Sequence, residues 1–304
     1  MEKLFAQLTE QGYRGRIVPV QILDDLQEEF EGHSRRGLLD QELYQAYLAG
    51  FTFSPPDSMP GARSLIVVAV PQPQIQVTFT WEGEPVRYMI PPTYPERRTD
   101  DRIQELLSQL LQPAGYRVIE AVVPRKLLAV RSGLAAYGKN NISYVPGMGS
   151  FHGLVVLYSD LPAPQSDWRA RQMMPTCQNC SACLHHCPAG AISSERFLLH
   201  AERCLTFHNE KPGSVPFAAW IDPSWHNCLV GCLHCQRVCP ENKAFWRWVE
   251  EGADFSQQET ALLLEGTPAE QLPVATIEKM HRVGLDGYYD VLPRNLNALL
   301  HQRR

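Results

Sequence analysis

The stretch CQNCSACLHHCP, Cys177 to Pro188, returns in altered form as CLVGCLHCQRVCP, Cys228 to Pro240. All nine cysteines of the chain lie between Cys177 and Cys239, with Cys204 alone between the two runs. The first run reads C-x2-C-x2-C-x3-C-P, and the second repeats the plan with one cysteine displaced. The rest of the chain is read outward from this pair.

Thiolates are soft ligands that suit iron–sulfur clusters or zinc. Structural zinc takes two separated ligand pairs. Three cysteines crowded into one short turn match the corner of a 4Fe–4S cubane instead, with the cysteine before proline reaching to a second cluster, as in bacterial ferredoxins. Two such sites need four cysteines each, so one of the nine is spare. The spacing leaves Cys204 and Cys228 both open as the spare, with a slight preference for Cys204 as ligand. With thiolates sufficient, His185, His186, His200, His208, His226 and His234 read as supporting or surface groups. Trp225, Trp246 and Trp248 read as packing around the clusters.

The chain has 304 residues, is 44% hydrophobic and 20% charged, and carries a net charge of −5. That composition fits an ordinary globular protein with a core of its own. The charge gives no general attraction to DNA. The N-terminus has no signal-peptide pattern. Apolar runs such as Leu65–Val70 are too short to cross a bilayer, so no membrane partner is expected. A cytoplasmic location is expected, and there clustered cysteines read as metal or redox ligands rather than disulfides.

Residues 1–50 carry apolar residues at helical spacing, among them Ile22, Leu23, Leu26 and Phe30. Ser64–Val70 reads as a strand buried on both faces, and Gln74–Thr80 as a half-buried strand with Pro85–Ile90 as its hairpin partner. Thr99 or Asp100 can cap a helix whose apolar face runs from Ile103 to Leu111. Tyr116–Val123 and Gly153–Tyr158 read as strands, and Pro124–Ser132 as a short helix. The expected fold class is α/β, a mixed sheet with flanking helices. The expected domains are 1–165, an α/β domain; 166–250, a small ferredoxin-like double-cluster domain without a strong strand; and 251–304, a helical tail packed on the others.

Gly133-x4-Gly138-Lys139-Asn140 falls one residue short of a phosphate-binding loop, which needs Ser or Thr after the lysine and a strand before the first glycine. A tight turn here can still offer N–H groups to an anion or a cofactor tail.

Taken together, Pro60–Ser64, Leu128–Leu134, Tyr137–Asn140, Gly149–Phe151, both cysteine runs, Glu265–Pro268 and Pro293–Asn295 resemble, in their order, the epoxyqueuosine reductases. That family is cobalamin-dependent, carries two 4Fe–4S clusters and completes the queuosine modification of tRNA. The resemblance implies one cluster on Cys177, Cys180, Cys183 and Cys239, and a second on Cys187, Cys204, Cys232 and Cys235, with Cys228 spare. It implies a fold similar to the cobalamin domain of reductive dehalogenases, a cobalamin near one cluster, with Gly138, Lys139, Asn140 and Ser150 as cofactor-binding residues, and an external electron donor such as ferredoxin or flavodoxin. Three departures stand beside it. The family's catalytic aspartate falls at Ala121, counted back from Pro124. The segment Arg87–Tyr94 lacks the family's histidine. The chain ends at Arg304, before the family's helical-repeat domain that grips tRNA, so it reads as a shortened member.

Glu120, Tyr88 and Lys139, with Tyr94, are the remaining candidate proton donors. The sequence is read first as an iron–sulfur oxidoreductase that passes electrons through both clusters to a corrinoid and reduces an unknown small-molecule or protein substrate. The alternatives are an electron-transfer or reductive-activation partner without a substrate of its own, and a tRNA epoxyqueuosine reductase, which Ala121 and the net charge weaken.

Overall fold

Strand β2, Ser64–Pro71, is buried along nearly its whole length. It lies between β1, Arg14–Pro19, and β8, His152–Ser159, in the order β1-β2-β8-β5, where β5 is Val118–Glu120; β6, Ala136–Tyr137, and β7, Ser143–Tyr144, pair with each other instead. Every pairing in this sheet is antiparallel. The structure, a computed structural model, describes residues 2–94, 96–163 and 168–302. The chain divides into two compact units, the first formed by Met1–Pro71, Glu96–Ser181 and Arg196–Leu198, the second by Gln72–Pro95, Ala182–Glu195 and Leu199–Arg304.

In the first unit, alternate residues of one strand serve two cores, because successive side chains leave opposite faces of a sheet. Leu65, Val67 and Ala69 of β2 join Ile22, Leu23 and Leu26 of the helix Ile22–Arg35 and Leu127 to Val130 of the helix Arg125–Arg131. Ile66, Val68 and Val70 join Leu4 and Leu8 of the helix Glu2–Glu10 and Ile103, Leu107 and Leu111 of the helix Glu96–Leu111. Helices cover both faces, which is why β2 shows no polar alternation. The α/β class with flanking helices holds.

The second unit is built on the order β4-β3-β9. Strands β3, Gln74–Trp81, and β4, Glu84–Ile90, form the expected hairpin. Strand β9, Val249–Phe255, pairs parallel with β3, so the mixed pairing of the fold lies in this sheet. Phe79 stacks on Phe255 with ring centroids 5.0 Å apart. The helices Gln257–Leu264 and Leu292–His301, with Met280 of the helix Val274–Arg282, complete this core.

Three expectations change. Residues 1–50 are not all helical, since β1 lies among them. The region after residue 160 does contain a strand, β9. The helix expected to start at Thr99 or Asp100 begins at Glu96, and Asp100 instead takes both Nη atoms of Arg125, at 3.0 and 2.8 Å. The expected boundary near residue 165 falls outside the described residues. By contact, the hairpin β3–β4 groups with the tail helices, because β3 and β9 share a sheet.

Candidate functional site

In the second unit the chain brings four cysteines of different segments into one electrostatic neighbourhood. Cys187 follows the short helix Ala182–His186, Cys204 precedes the helix Leu205–Glu210, and Cys232 and Cys235 flank the start of the helix His234–Arg237. Burial first, and then the charges of Cys232, Cys204, Cys187 and Cys183, push the Cys235 thiol well up. Burial, with Cys228, Cys204 and Cys187, does the same to Cys232. Cys204 is raised by burial and, more weakly, by Cys187. Bare thiolates gathered this way repel one another, and either protonation or a bound metal centre relieves that repulsion.

The backbone is arranged for sulfur anions. Ala191 N–H donates to Cys187 Sγ at 3.3 Å. Backbone N–H groups of Thr206 and Phe207 serve Cys204, and that of His234 serves Cys232. Such N–H donors are among the features that set cluster potentials. Trp225 and Phe217 pack with Cys187 and Cys232 around Ala189, Leu205 and Ile221. Among the described residues, no three His, Cys, Asp or Glu side chains close around a point that could hold one metal ion. An all-thiolate donor set of this kind suits an iron–sulfur cluster.

Cys228 stands differently. It is 1% exposed, and burial pushes its thiol up strongly against one N–H from Leu233. Its charge acts on Cys232 and on the partly buried Tyr94. The nearby histidines turn to carbonyls or carboxylates: His208 Nε2 to Glu202 O at 2.9 Å, His234 Nε2 to Trp225 O at 2.9 Å, His186 Nδ1 to Ala182 O at 3.0 Å and His200 Nδ1 to Glu202 Oε1 at 3.0 Å.

The segment Pro293-Arg294-Asn295 is a clamp on this region. Arg294 donates to the carbonyls of Pro212, Val215, His208 and Asn209 at 2.7–3.1 Å, and its guanidinium lies 4.4 Å from the Phe217 ring centroid. A planar five-donor group can tie a loop in this way where lysine cannot. The motif is visible in the sequence but its clamping task is not, because the loop it holds carries no pattern of its own.

In the first unit, the Gly133–Asn140 motif has a structural answer. Gly133, at φ +73°, ends the helix Arg125–Arg131. A Cβ on Gly138 would stand 2.5 Å from Asn140 Oδ1 and 2.6 Å from the Tyr144 ring. Lys139 N–H then donates to Cys177 Sγ at 3.4 Å, and Lys139 Nζ to the Cys180 carbonyl at 2.8 Å. Asn140 is buried and donates to Tyr144 Oη at 2.9 Å. Ser150 is 1% exposed in the same loop. Gly138, Lys139, Asn140 and Ser150 are thus gathered in one loop, with the side chains of Lys139 and Asn140 engaged inside the unit.

Of the candidate proton donors, Glu120 belongs with Lys139 to the first unit, and Tyr88 with Tyr94 to the second. Ala121 is fully buried, with its N–H on Val156 O at 3.0 Å. Glu120 accepts from Arg125 Nη2 at 3.1 Å. Tyr88 lies on β4 beside Phe79, with ring centroids 6.3 Å apart.

A family model described as "4Fe-4S double cluster binding domain" matches residues 176–242. The cysteine region is a double 4Fe–4S domain. Epoxyqueuosine reductase of Pseudomonas aeruginosa is 33% identical over 148 residues, covering 47% of this chain and 39% of the relative. This chain is similar to the epoxyqueuosine reductases over about half its length. The matched part spans about two fifths of the curated relatives. Among solved structures, epoxyqueuosine reductase from Streptococcus thermophilus matches with a TM-score of 0.66 at 17% identity, covering 97% of this chain and 79% of that one. An epoxyqueuosine reductase bound to an epoxyqueuosine-modified tRNA stem loop matches with a TM-score of 0.64 at 21% identity, covering 98% and 80%. At these identities the structures establish the fold. No helix among the described residues is long and apolar enough to cross a membrane.

Proposed function

We propose that this protein is an iron–sulfur reductase acting on epoxyqueuosine in tRNA. The observation that carries the reading is the convergence of Cys187, Cys204, Cys232 and Cys235 within a chain whose sequence relatives are epoxyqueuosine reductases. The ligand sets follow the resemblance: Cys177, Cys180, Cys183 and Cys239 for one cluster, Cys187, Cys204, Cys232 and Cys235 for the other. A cytoplasmic ferredoxin or flavodoxin is the class of electron donor that suits such clusters. A corrinoid belongs to this reading, and when bound it supplies the reducing centre that no side chain offers. The residues of the loop 138–150 contribute backbone and packing, since Lys139 and Asn140 are already engaged.

Expression in a bacterial strain lacking its epoxyqueuosine reductase tests this. Nucleosides from its tRNA, resolved by mass spectrometry, should show queuosine in place of epoxyqueuosine. Unchanged epoxyqueuosine, with both clusters present, would sink the reading.

A second reading is favoured by Ala121, which puts a buried methyl where the family's acid stands. There the clusters relay electrons to a separate protein, and the chain has no substrate of its own. It predicts a fully loaded protein that oxidises a reduced donor only when a soluble partner is added.

A further inference from the structure

The turn Tyr137–Asn141 is joined to the first cysteine run at several points. Tyr137 N–H donates to Gln172 O and Met174 N–H to Tyr137 O, both at 2.9 Å, in a parallel bridge between Tyr137 and Met173. One residue further on, the Lys139 amide reaches Cys177 Sγ at 3.4 Å, and its half-buried ammonium reaches the Cys180 carbonyl at 2.8 Å. The same residue therefore places a dipole on one cysteine and a full positive charge beside another. Asn141 closes the turn at φ +59°, with its N–H on Gly138 O at 2.9 Å, so Lys139 is presented by a fixed backbone.

We propose that Lys139 is a positioning residue that sets the reduction potential of the cluster on Cys177 and Cys180. This rests on the reading that those two cysteines are ligands. Adding an electron makes a cluster more negative. A nearby cation and an N–H donated to a ligand sulfur both favour that reduced form, and so raise the potential. The ammonium contributes charge, the amide a hydrogen bond, and the two can be separated by substitution. Lys139→Gln keeps the backbone donor and a side-chain N–H for the Cys180 carbonyl, but removes the charge. Lys139→Arg keeps the charge.

The test is a redox titration of the anaerobically purified protein followed by electron paramagnetic resonance, with iron analysis of each variant. Lys139→Gln should retain wild-type iron while one of the two cluster signals titrates at a lower potential. The expected change in its reduced-to-oxidised ratio at fixed potential is about tenfold, or about 59 mV for a one-electron couple. Lys139→Arg should restore the wild-type value, and the other cluster should not move. Unchanged potentials in Lys139→Gln, or an equal shift in Lys139→Arg, overturn the proposal. Loss of a cluster in both variants also overturns it, because the residue would then be needed only for assembly. Failure of the underlying reading shows separately, as a Cys177→Ala protein that keeps both cluster signals.

Discussion

The side-chain amide of Asn295 donates to the carbonyl of Leu229, the residue after Cys228, at 2.9 Å, from a position only 2% exposed. It donates equally to Asn209, five residues after Cys204. One buried amide thus ties the end of the chain to the segments that follow two cysteines. Arg294 already serves Asn209, but no other donor to Leu229 O is seen among the described residues.

Asn295→Leu should therefore cost about 2–3 kcal/mol, since it leaves a buried carbonyl without its donor. Thermal unfolding under nitrogen would read this, and iron content should fall alongside stability. Wild-type stability with full iron would mean that the clamp does not support the cysteine region.

Cys204→Ala and Cys228→Ala should behave oppositely. Cys204 shares its surroundings with Cys187, Cys232 and Cys235, so its removal should abolish one cluster and about half the iron. Cys228 is buried, and the variant should lose about 1 kcal/mol of packing while keeping both clusters. Iron and sulfide analysis decides between them. Loss of iron in Cys228→Ala alone would reverse the assignment.

How much of this was legible beforehand depended on whether a segment's own residues or its neighbours decide its structure. Strand β2 was plain because its apolar run is continuous. Strand β9, VEEGADF, has acidic residues and a glycine, and only Ala253 and Phe255 face the core. Its pairing to β3 imposes the strand, and a Cβ on Gly252 would stand 2.5 Å from Ile75 Cγ2, so the glycine is required by close approach. Strand β1 was hidden between helices, and its pairing with β2 holds it in place. At the site, cysteine spacing revealed the clusters directly. The role of Lys139 was not visible, because the thiolate it serves lies far along the chain.

His152 supplies a pH dependence. It is buried, with Nδ1 on Gly149 O at 3.2 Å and Nε2 on Ser143 Oγ at 3.1 Å. Nδ1 must carry the proton to serve a carbonyl, so Nε2 accepts from Ser143 in the neutral form. Burial holds its pKa down at about 4 against the ordinary 6.5, despite the opposing effect of the Gly149 carbonyl. The unfolded chain takes up the proton first as pH falls. This contribution to stability is thus intact above pH 6.5 and is lost progressively toward pH 4, by about 3 kcal/mol in full. Comparing wild type with His152→Gln at pH 7 and pH 5 isolates it from acid effects on the clusters. The variant should lose less stability between the two pH values; equal losses would remove His152 from the account.

Ala121 gives the last prediction, and it concerns what cannot simply be restored. The family resemblance puts an aspartate here, yet the methyl of Ala121 sits in the core with Val123, Leu128 and Val156. Its N–H is bonded to Val156 O, so the backbone continues the edge of β5 along β8. Ala121→Asp would place a carboxylate among these apolar groups. Arg125, a cation on the adjoining helix, is already held by Asp100 and Glu120. Burying such a group without a partner costs several kcal/mol. The variant should therefore melt well below wild type and gain no activity on epoxyqueuosine-containing tRNA. A stable Ala121→Asp protein with raised activity would show that this segment leaves the core to act as a mobile catalytic loop.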